Sequence, residues 1–188
     1  MNLGTVHAHF PQLESERLIL RRIHAQDADA LYRIFSDDEV TRYYDIHPYT
    51  SIDQARNLIE RLNKRFEQRS GIRWGITLRA EDIVIGTIGY GWTEYNHQGE
   101  VGYDLARDYW QQGLMSEALQ IAIRFGFDVI ELNRIQAHVI PGNIASEKLL
   151  LKHGFTREGV LREYGFFRDG YHDLTSFSLL KKDYQADV

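Results

Sequence analysis

The sequence contains no cysteine and no long apolar run. Without cysteine, the chain can form neither a disulfide framework nor a Cys-ligated zinc site, and it has no thiol nucleophile. No apolar stretch reaches the roughly 18 residues that a membrane-spanning helix needs. The first ten residues lack the basic start and the apolar stretch of a secretory signal. We therefore expect a cytoplasmic protein with no membrane partner.

Positive charge is also scarce in this chain. Lys and Arg number 22 against 27 Asp and Glu, which gives a formal net charge of −5. This balance argues against a general binder of phosphate backbones, so no nucleic-acid partner is expected. A local basic patch could still hold one anionic cofactor.

The chain does contain enough apolar material for one core. Of its 188 residues, 43% are hydrophobic and 12% are aromatic, which suits a single domain without metal or disulfide support. We expect this domain to span residues 13–184, between a loose N-terminal arm at 1–12 and a tail at 185–188. His7 and His9 could ligate a metal, but a solvated arm is the preferred interpretation and no metal is expected. An oligomer is possible, and the sequence leaves this open.

Hydrophobic periodicity predicts alternating strands and helices, which is an α/β pattern. Asp27 and Ser51 are the predicted N-caps of two helices, and Gln54 completes a capping box with Ser51. Further helices are predicted from Ser116 to about Ile130 and from Asn143 to about His153, the latter ending at Gly154. The predicted strands cover residues 17–23, 73–78, 83–90, 100–105, 134–140, 155–167 and 171–180. The strand, helix and strand between Glu100 and Ile140 predict two parallel neighbours with a right-handed crossover.

A glycine turn between strand and helix, at residues 110–118, is the predicted anion site. The first N–H groups of a helix have no intrahelical acceptor, and Gly113 permits close approach or a positive φ. The turn lacks the lysine of a Walker P-loop, which excludes a P-loop kinase, and it lacks the spaced glycines of a dinucleotide fold. Taken alone, an ordinary turn is the preferred interpretation of this segment, so the context decides.

Four motifs in order give that context: Arg17-Leu18-Ile19-Leu20-Arg21, the turn Trp110 to Met115, Asn143-Ile144-Ala145-Ser146, and Gly154-Phe155. Together they resemble the GNAT acetyltransferases, and within them the RimJ/RimL branch that acetylates protein N-termini. The resemblance covers about residues 13–184. It implies an α/β fold with a mixed, twisted sheet of about six to seven strands and helices on both faces. Two parallel central strands would splay apart to admit acetyl-CoA.

The resemblance also implies which residues hold acetyl-CoA. Backbone N–H groups of the turn would bind the pyrophosphate, and the strand edge at Val101, Tyr103 and Leu105 would pair with the pantetheine arm. Asn143 would hydrogen-bond that arm, and Ser146 would lie near the thioester sulfur. The turn residues are Gln111, Gln112, Gly113, Leu114, Met115 and Ser116.

Two positions depart from the family pattern. Met115 replaces the usual glycine or alanine at the pyrophosphate seat. Leu150 stands where many members of the family have a tyrosine proton donor, which excludes that acid here. Ser146 is therefore the predicted acid.

Direct attack by an amine in a ternary complex is the simplest mechanism without a cysteine nucleophile. Glu100 is the first candidate base, acting through a water, because it begins the strand beside the cofactor and shares a face with Asp104. Glu158 is the second candidate. The alternatives are a surface carboxylate for Glu100 and a cross-strand ion pair for Glu158. His138 lies in an apolar strand and is interpreted as a core histidine.

The expected acceptor is a protein N-terminus or a small-molecule amine. At neutral pH an α-amino group is deprotonated roughly 300-fold more often than a lysine side chain, so a weak base is sufficient for it. The aromatic segment from Tyr43 to Tyr49 is interpreted as a wall of the acceptor cleft, with plain packing on the core as the alternative. A non-catalytic acyl-CoA-binding sensor domain is the competing function.

Overall fold

The computed structural model of the protein describes Val6 and residues 9–184. The predicted tail at 185–188 and most of the predicted arm, with His7, lie outside the described residues. The part of the arm that is described is packed on the domain. The ring of Phe10 lies 4.8 Å from that of Phe66, and the indole N–H of Trp74 donates to the Pro11 carbonyl at 2.7 Å.

The described residues form one sheet of eight strands, more than the six to seven expected. The strands follow the order β1-β2-β3-β4-β5-β6-β8-β7, and every neighbouring pair among them is antiparallel except β5 and β6. The additional strand is the short β1. The bounds are β1 Leu13–Glu14, β2 Leu18–Arg21, β3 Gly71–Leu78, β4 Val84–Thr93, β5 Gln98–Leu105, β6 Arg134–Val139, β7 Thr156–Phe167 and β8 Gly170–Leu180.

The parallel pair β5 and β6 at the centre of the sheet confirms that these two strands are parallel neighbours. In the register of β5 and β6, Gln98, Gly99 and Glu100 lie opposite Arg134, Ile135 and Gln136. Beyond Glu100 no described residue of β5 pairs with β6, although β5 continues along β4 and β6 continues along β8. The two strands therefore diverge at Glu100 and leave a gap in the middle of the sheet.

Helices cover both faces of the sheet. On one face α1 and α3 pack with Val84 around Leu31 and Ile59. On the other face α4 packs Ala118 and Leu119 against the strand residues that face it, among them Trp74 and Ile88. The bounds are α1 Ala28–Phe35, α2 Asp38–Thr41, α3 Ile52–Glu67, α4 Leu114–Arg124 and α5 Ile144–Lys152.

The helix ends in the structure test the predicted caps and helix boundaries. The capping box is confirmed, with Ser51 accepting from the Asp53 N–H and Gln54 reaching back to the Ser51 N–H. Asp27 is the N-cap residue of α1, as predicted, but its side chain does not cap this helix, because the carboxylate accepts from the His24 N–H and the Arg21 side chain instead. The helix after the turn begins earlier than predicted, at Leu114, and passes into a π-helical turn at Phe125–Val129.

None of the helices in the described part of the chain has both the length and the hydrophobicity of a membrane span. Among the same residues, no group of three or more His, Cys, Asp or Glu side chains could hold a metal ion.

Candidate active site

The glycine turn leads from the end of β5 into α4. Gly113 has a φ of 76° and is the N-cap of α4, and Gln111 also has a positive φ, of 59°. The Arg17 side chain supports the turn by donating to the Gln112 carbonyl at 3.0 Å and to the Glu117 carboxylate at 2.7 Å. Arg17 lies just before β2 and therefore stabilises the turn before α4, although the two segments are predicted as separate motifs.

The turn presents backbone donors that have no acceptor among the described residues. The Trp110 N–H donates to the Arg107 carbonyl at 3.0 Å, and the next N–H with a backbone acceptor is that of Glu117, which donates to the Gly113 carbonyl at 3.1 Å. The six preceding N–H groups, from Gln111 to Ser116, donate to no described residue. Unpaired N–H groups at a helix N-terminus are the arrangement that binds phosphate.

A cavity of about 1230 Å³ connects this turn with the gap between β5 and β6. Its lining includes Gly113, Met115 and Ser116 at one end and Glu100, Gln136 and His138 at the other. Val101, Tyr103 and Leu105 lie along the edge of β5 that β6 has left. The Trp110 indole donates to the Leu105 carbonyl at 2.7 Å, which fixes the start of the turn to the end of this edge.

On the α4 face of the gap, two hydroxyl groups meet. The Tyr103 Oη lies 2.7 Å from the Ser146 Oγ, and Ser146 is held in the first turn of α5, where its N–H donates to the Asn143 side chain at 3.2 Å. Burial raises the pKa of Tyr103 to about 12, although the hydrogen bond to Ser146 opposes the shift. Tyr103 therefore keeps its proton at neutral pH. Leu150 is fully buried in the core and contributes no polar group.

On the opposite face, Glu100 pairs with His138. The Glu100 Oε1 lies 2.9 Å from the His138 Nδ1, and the Glu100 side chain is 51% exposed whereas that of His138 is 8% exposed. The hydrogen bond from His138 holds the pKa of Glu100 below its ordinary value, while burial opposes this. Because an ionised carboxylate only accepts hydrogen bonds, the Nδ1 of His138 carries the hydrogen.

Asp104 shares the face of Glu100, as predicted, but it is a structural residue. Its carboxylate is buried and accepts from the Arg73 guanidinium at 2.7 Å and from the Thr87 hydroxyl at 2.5 Å. The Tyr44 hydroxyl also lies within hydrogen-bond distance, at 3.3 Å. All its oxygens are engaged within the protein, so Asp104 links strands rather than forming a pair of free carboxylates with Glu100.

Glu158 lies outside the cavity, and the geometry argues against it as the base. Its carboxylate binds the Arg134 guanidinium through two bonds, of 2.8 and 2.5 Å, and accepts from Ser176 and Ser178. The Arg134 hydrogen bonds lower the pKa of Glu158 to about 2. The cross-strand ion pair that the sequence analysis gives as the alternative is present.

The aromatic segment divides between the cavity and the core. Tyr43 and Tyr44 line the cavity, and burial raises the pKa of Tyr44 far above its ordinary value. Tyr49 is buried instead, with its ring 5.4 Å from that of Phe35. Both interpretations of this segment therefore apply, each to different residues.

Three site features were missed by the sequence analysis. His138 is predicted as a core histidine, yet it lines the cavity and bonds Glu100. Tyr103 is expected to contribute only its backbone, yet its hydroxyl reaches Ser146. Arg65 is given no role by the sequence analysis, yet it lines the cavity. The alternation of side chains along β5 and β6 predicts the face on which Tyr103 and His138 lie. It could therefore have indicated these two features, although it does not give the bonding partner of either side chain.

Comparison with known proteins supports one interpretation of this geometry. Residues 17–156 match the family model described as an acetyltransferase (GNAT) domain. An uncharacterised N-acetyltransferase of Bacillus subtilis (strain 168), YoaA, is 42% identical over 92% of this chain and 98% of its own. The [ribosomal protein uS5]-alanine N-acetyltransferase of Escherichia coli (strain K12) is 29% identical over 89% of this chain and 90% of its own. The structure of RimL, a ribosomal L7/L12 α-N-protein acetyltransferase in complex with coenzyme A, aligns with a TM-score of 0.81. It is 19% identical and covers 90% of this chain and 98% of that chain.

Proposed function

The chain belongs to the GNAT acetyltransferase family, and from this premise we propose that it is an acetyl-CoA-dependent N-acetyltransferase acting on a primary amine. One observation supports this most strongly. A run of unpaired N–H groups at Gln111 to Ser116 opens into the same cavity that reaches Glu100 through the gap between β5 and β6. An anion seat and an ionised carboxylate are thus connected through the sheet.

The residues present fit acetyl-CoA as the acetyl donor. The unpaired N–H groups of the turn suit its pyrophosphate, and the unpaired edge of β5 suits an extended amide chain. Met115, in the first turn of α4, packs part of its side chain against the core and also lines the cavity, and its N–H is one of the unpaired donors. Asn143 is already engaged with the Ser146 N–H, so its proposed role toward the pantetheine arm is through its remaining amide donors.

The two faces of the gap divide the proposed chemistry. When bound, acetyl-CoA supplies the activated acetyl group, and its sulfur is the leaving group. On the acceptor face, Glu100 takes the proton of the attacking amine, directly or through a water, while His138 holds the carboxylate in place. On the cofactor face, the Ser146 hydroxyl donates a proton toward the sulfur position. Tyr103 donates to Ser146 and so directs the Ser146 proton into the cavity.

Two acceptor classes fit this site. The relative that acetylates ribosomal protein uS5 supports a protein N-terminus, and the deprotonated fraction of α-amino groups at neutral pH favours either such a terminus or a small amine over a lysine side chain.

The experiment offers the protein acetyl-CoA and a panel of amines, with free thiol and acetylated product followed together by absorbance and mass spectrometry. The panel contains peptides with free termini, amino acids, polyamines and aminoglycosides. We expect thiol release that depends on one class of amine, with equal acetylated product. Cofactor binding without transfer to any amine would instead support a non-catalytic acyl-CoA sensor.

A further inference from the structure

A second charged group, the Arg65 guanidinium, lies on the same face of the cavity as Glu100 and has no role in the chemistry proposed so far. Arg65 extends from α3 across β3 and β4 at Gly71 and Gly91, which face each other in the register of those strands. A Cβ on Gly91 would stand 1.9 Å from the Arg65 Nη2, and a Cβ on Gly71 would stand 2.5 Å from its Nε. The two glycines thus form the floor on which the guanidinium lies.

The end of the Arg65 side chain makes no hydrogen bond or ion pair in the described part of the chain, although the charge of Glu100 acts on it from a distance. Its Nε donates weakly to the Ser70 carbonyl at 3.4 Å, and neither Nη1 nor Nη2 has a hydrogen bond or ion pair among those residues. The neighbouring Arg73, by contrast, is fully engaged with Asp104, Thr87 and the Gly102 carbonyl. Two donor nitrogens of a planar cation therefore remain available in the cavity.

The register places this cation beside the candidate base. Gly71, Gly91, Glu100 and Gln136 form one row across four strands, with paired positions on a common face. Neighbouring strands lie about 4.8 Å apart, so the guanidinium over Gly91 is about one strand spacing from Glu100. The Glu100 carboxylate is bonded to His138 on its other side, and the Asp104 carboxylate is occupied by Arg73.

We propose that Arg65 binds an oxyanion of the acceptor, so that the acceptor is an amine carrying a carboxylate or phosphate within a few bonds of its nitrogen. This inference rests on the proposed N-acetyltransferase function. A planar guanidinium with two free donors suits an oxyanion, whereas a polyamine or an aminoglycoside would place further positive charge against it. Because Gly91 and Glu100 are opposite each other on neighbouring strands, an amine at Glu100 and an anion at Arg65 would be held close together on one face of the sheet.

Matched acceptor pairs test this inference, because the members of each pair differ mainly in the anion. β-Alanine is compared with β-alaninamide, and phosphoethanolamine with ethanolamine. In the unmodified protein we expect kcat/KM to favour the anionic member of at least one pair, and the pair that does so identifies carboxylate or phosphate. Arg65→Gln should lower that preference about tenfold to a hundredfold, as expected when a charge-assisted bond is lost. The preference is the ratio of kcat/KM for the two members of a pair. A difference in intrinsic reactivity between the two amines affects this ratio equally in both proteins, so it cancels when the variant is compared with the unmodified protein.

Two further variants separate recognition from folding. Lys64→Gln removes a positive charge from the adjacent, exposed position of α3 outside the cavity, and it should leave the preference unchanged. Gly91→Ala keeps the arginine but displaces its flexible end, so it should reduce the preference as Arg65→Gln does. Direct titration of the preferred anionic acceptor into protein saturated with coenzyme A should show the same loss of affinity.

The outcomes distinguish this inference from the function on which it rests. Equal turnover of charged and neutral members, or a preference that persists in Arg65→Gln, would overturn the role of Arg65 while leaving the enzyme an acetyltransferase. Exclusive use of polyamines or aminoglycosides would do the same. Transfer to no amine at all would overturn the proposed function itself.

Discussion

At the scale of single residues, the proposed chemistry depends on two side-chain pairs on opposite faces of the sheet. Tyr103 and Ser146 meet on the side of α4, and Glu100 and His138 meet on the side of α3. In the first pair burial raises the pKa of Tyr103, so this hydroxyl keeps its proton at neutral pH. In the second pair the hydrogen bond from His138 lowers the pKa of Glu100, so this carboxylate is ionised.

Ser146→Ala should lower kcat about a hundredfold and change the affinity for coenzyme A little, because the hydroxyl is proposed to act only as sulfur departs. Tyr103→Phe should lower kcat about tenfold, since Ser146 stays in place and loses only the group that orients its proton. Steady-state kinetics and calorimetric titration of coenzyme A separate the two effects. The double variant should be no slower than Ser146→Ala, and an additive loss would show that the two hydroxyls act independently.

Glu100→Gln should lower kcat/KM by about two to four orders of magnitude, the range of general base catalysis. The pKa of Glu100 is lowered, so this carboxylate is ionised throughout the neutral range and its titration lies on the acid side of its ordinary value. The rise of kcat/KM with pH should therefore follow the acceptor amine, and it should keep its position in the variant. A rise that disappears in Glu100→Gln would contradict this assignment.

At the scale of elements, the turn before α4 is held by distant parts of the chain. Arg17 of the segment before β2 bonds the turn and Glu117, Trp110 bonds the end of β5, and the Ser116 hydroxyl lies 2.8 Å from the His153 Nε2 after α5. These contacts fix the backbone of the turn before any ligand arrives, so binding does not have to order it.

Gly113→Val should weaken binding of coenzyme A about tenfold or more. The φ of 76° at Gly113 is unfavourable for a β-branched residue, so the turn must change shape and its N–H groups lose their common direction. Gly113→Asn is the matched control, because asparagine tolerates this region of φ, and its affinity should stay within a few-fold of the unmodified protein. Calorimetric titration measures both, and unchanged affinity in Gly113→Val would remove the pyrophosphate from this turn.

At the scale of the whole molecule, the sheet must stay closed on both sides of its central gap. On one side the Arg73–Asp104 pair connects β3 with β5. On the other side the hairpin of β7 and β8 is attached to β6, and Glu158 of β7 reaches across β8 to Arg134 of β6. Each of these two ion pairs holds one of the strands that border the gap, β5 through Asp104 and β6 through Arg134. The stability of the fold and the geometry of the site are therefore linked.

Glu158→Gln should destabilise the fold by about 1 kcal/mol at neutral pH, the order expected for a partly exposed, bidentate ion pair. The folded pKa is lowered to about 2 from an ordinary 4.5, so the stabilisation is present above pH 4.5 and is lost as the pH falls toward 2. The difference between variant and unmodified protein should therefore shrink in acid. Urea unfolding at several pH values measures it.

Glu60→Gln is the control for this prediction, because Glu60 is exposed on α3 and forms no ion pair with the described residues. It should leave stability unchanged at each pH. A pH-independent difference for Glu158→Gln would mean that packing, rather than charge, accounts for the loss.

Predictions made from local chemistry were mostly confirmed. The Ser51 capping box and the helix end at Gly154, whose φ is 81°, depend on interactions within a few residues, and both are present. Asp27 is at the predicted N-cap position, but its carboxylate binds Arg21, six positions earlier, and not the helix N–H groups. The short β1 carries too little periodicity to be predicted.

The sequence by itself determined the α/β class, the parallel strand pair, the glycine turn before α4 and the family, because these follow from periodicity and from motifs within short segments. The tertiary structure decided which side chains meet. Tyr103 and Ser146 are 43 positions apart, and Glu100 and His138 are 38 apart, so their contacts depend on the register of β5 and β6 and on where those strands diverge. The same register places Arg65 over two glycines, and Glu158 beside Arg134 instead of in the cavity. A sequence predicts the face of the strand on which each side chain lies, but the pairing of the strands decides which side chains become neighbours.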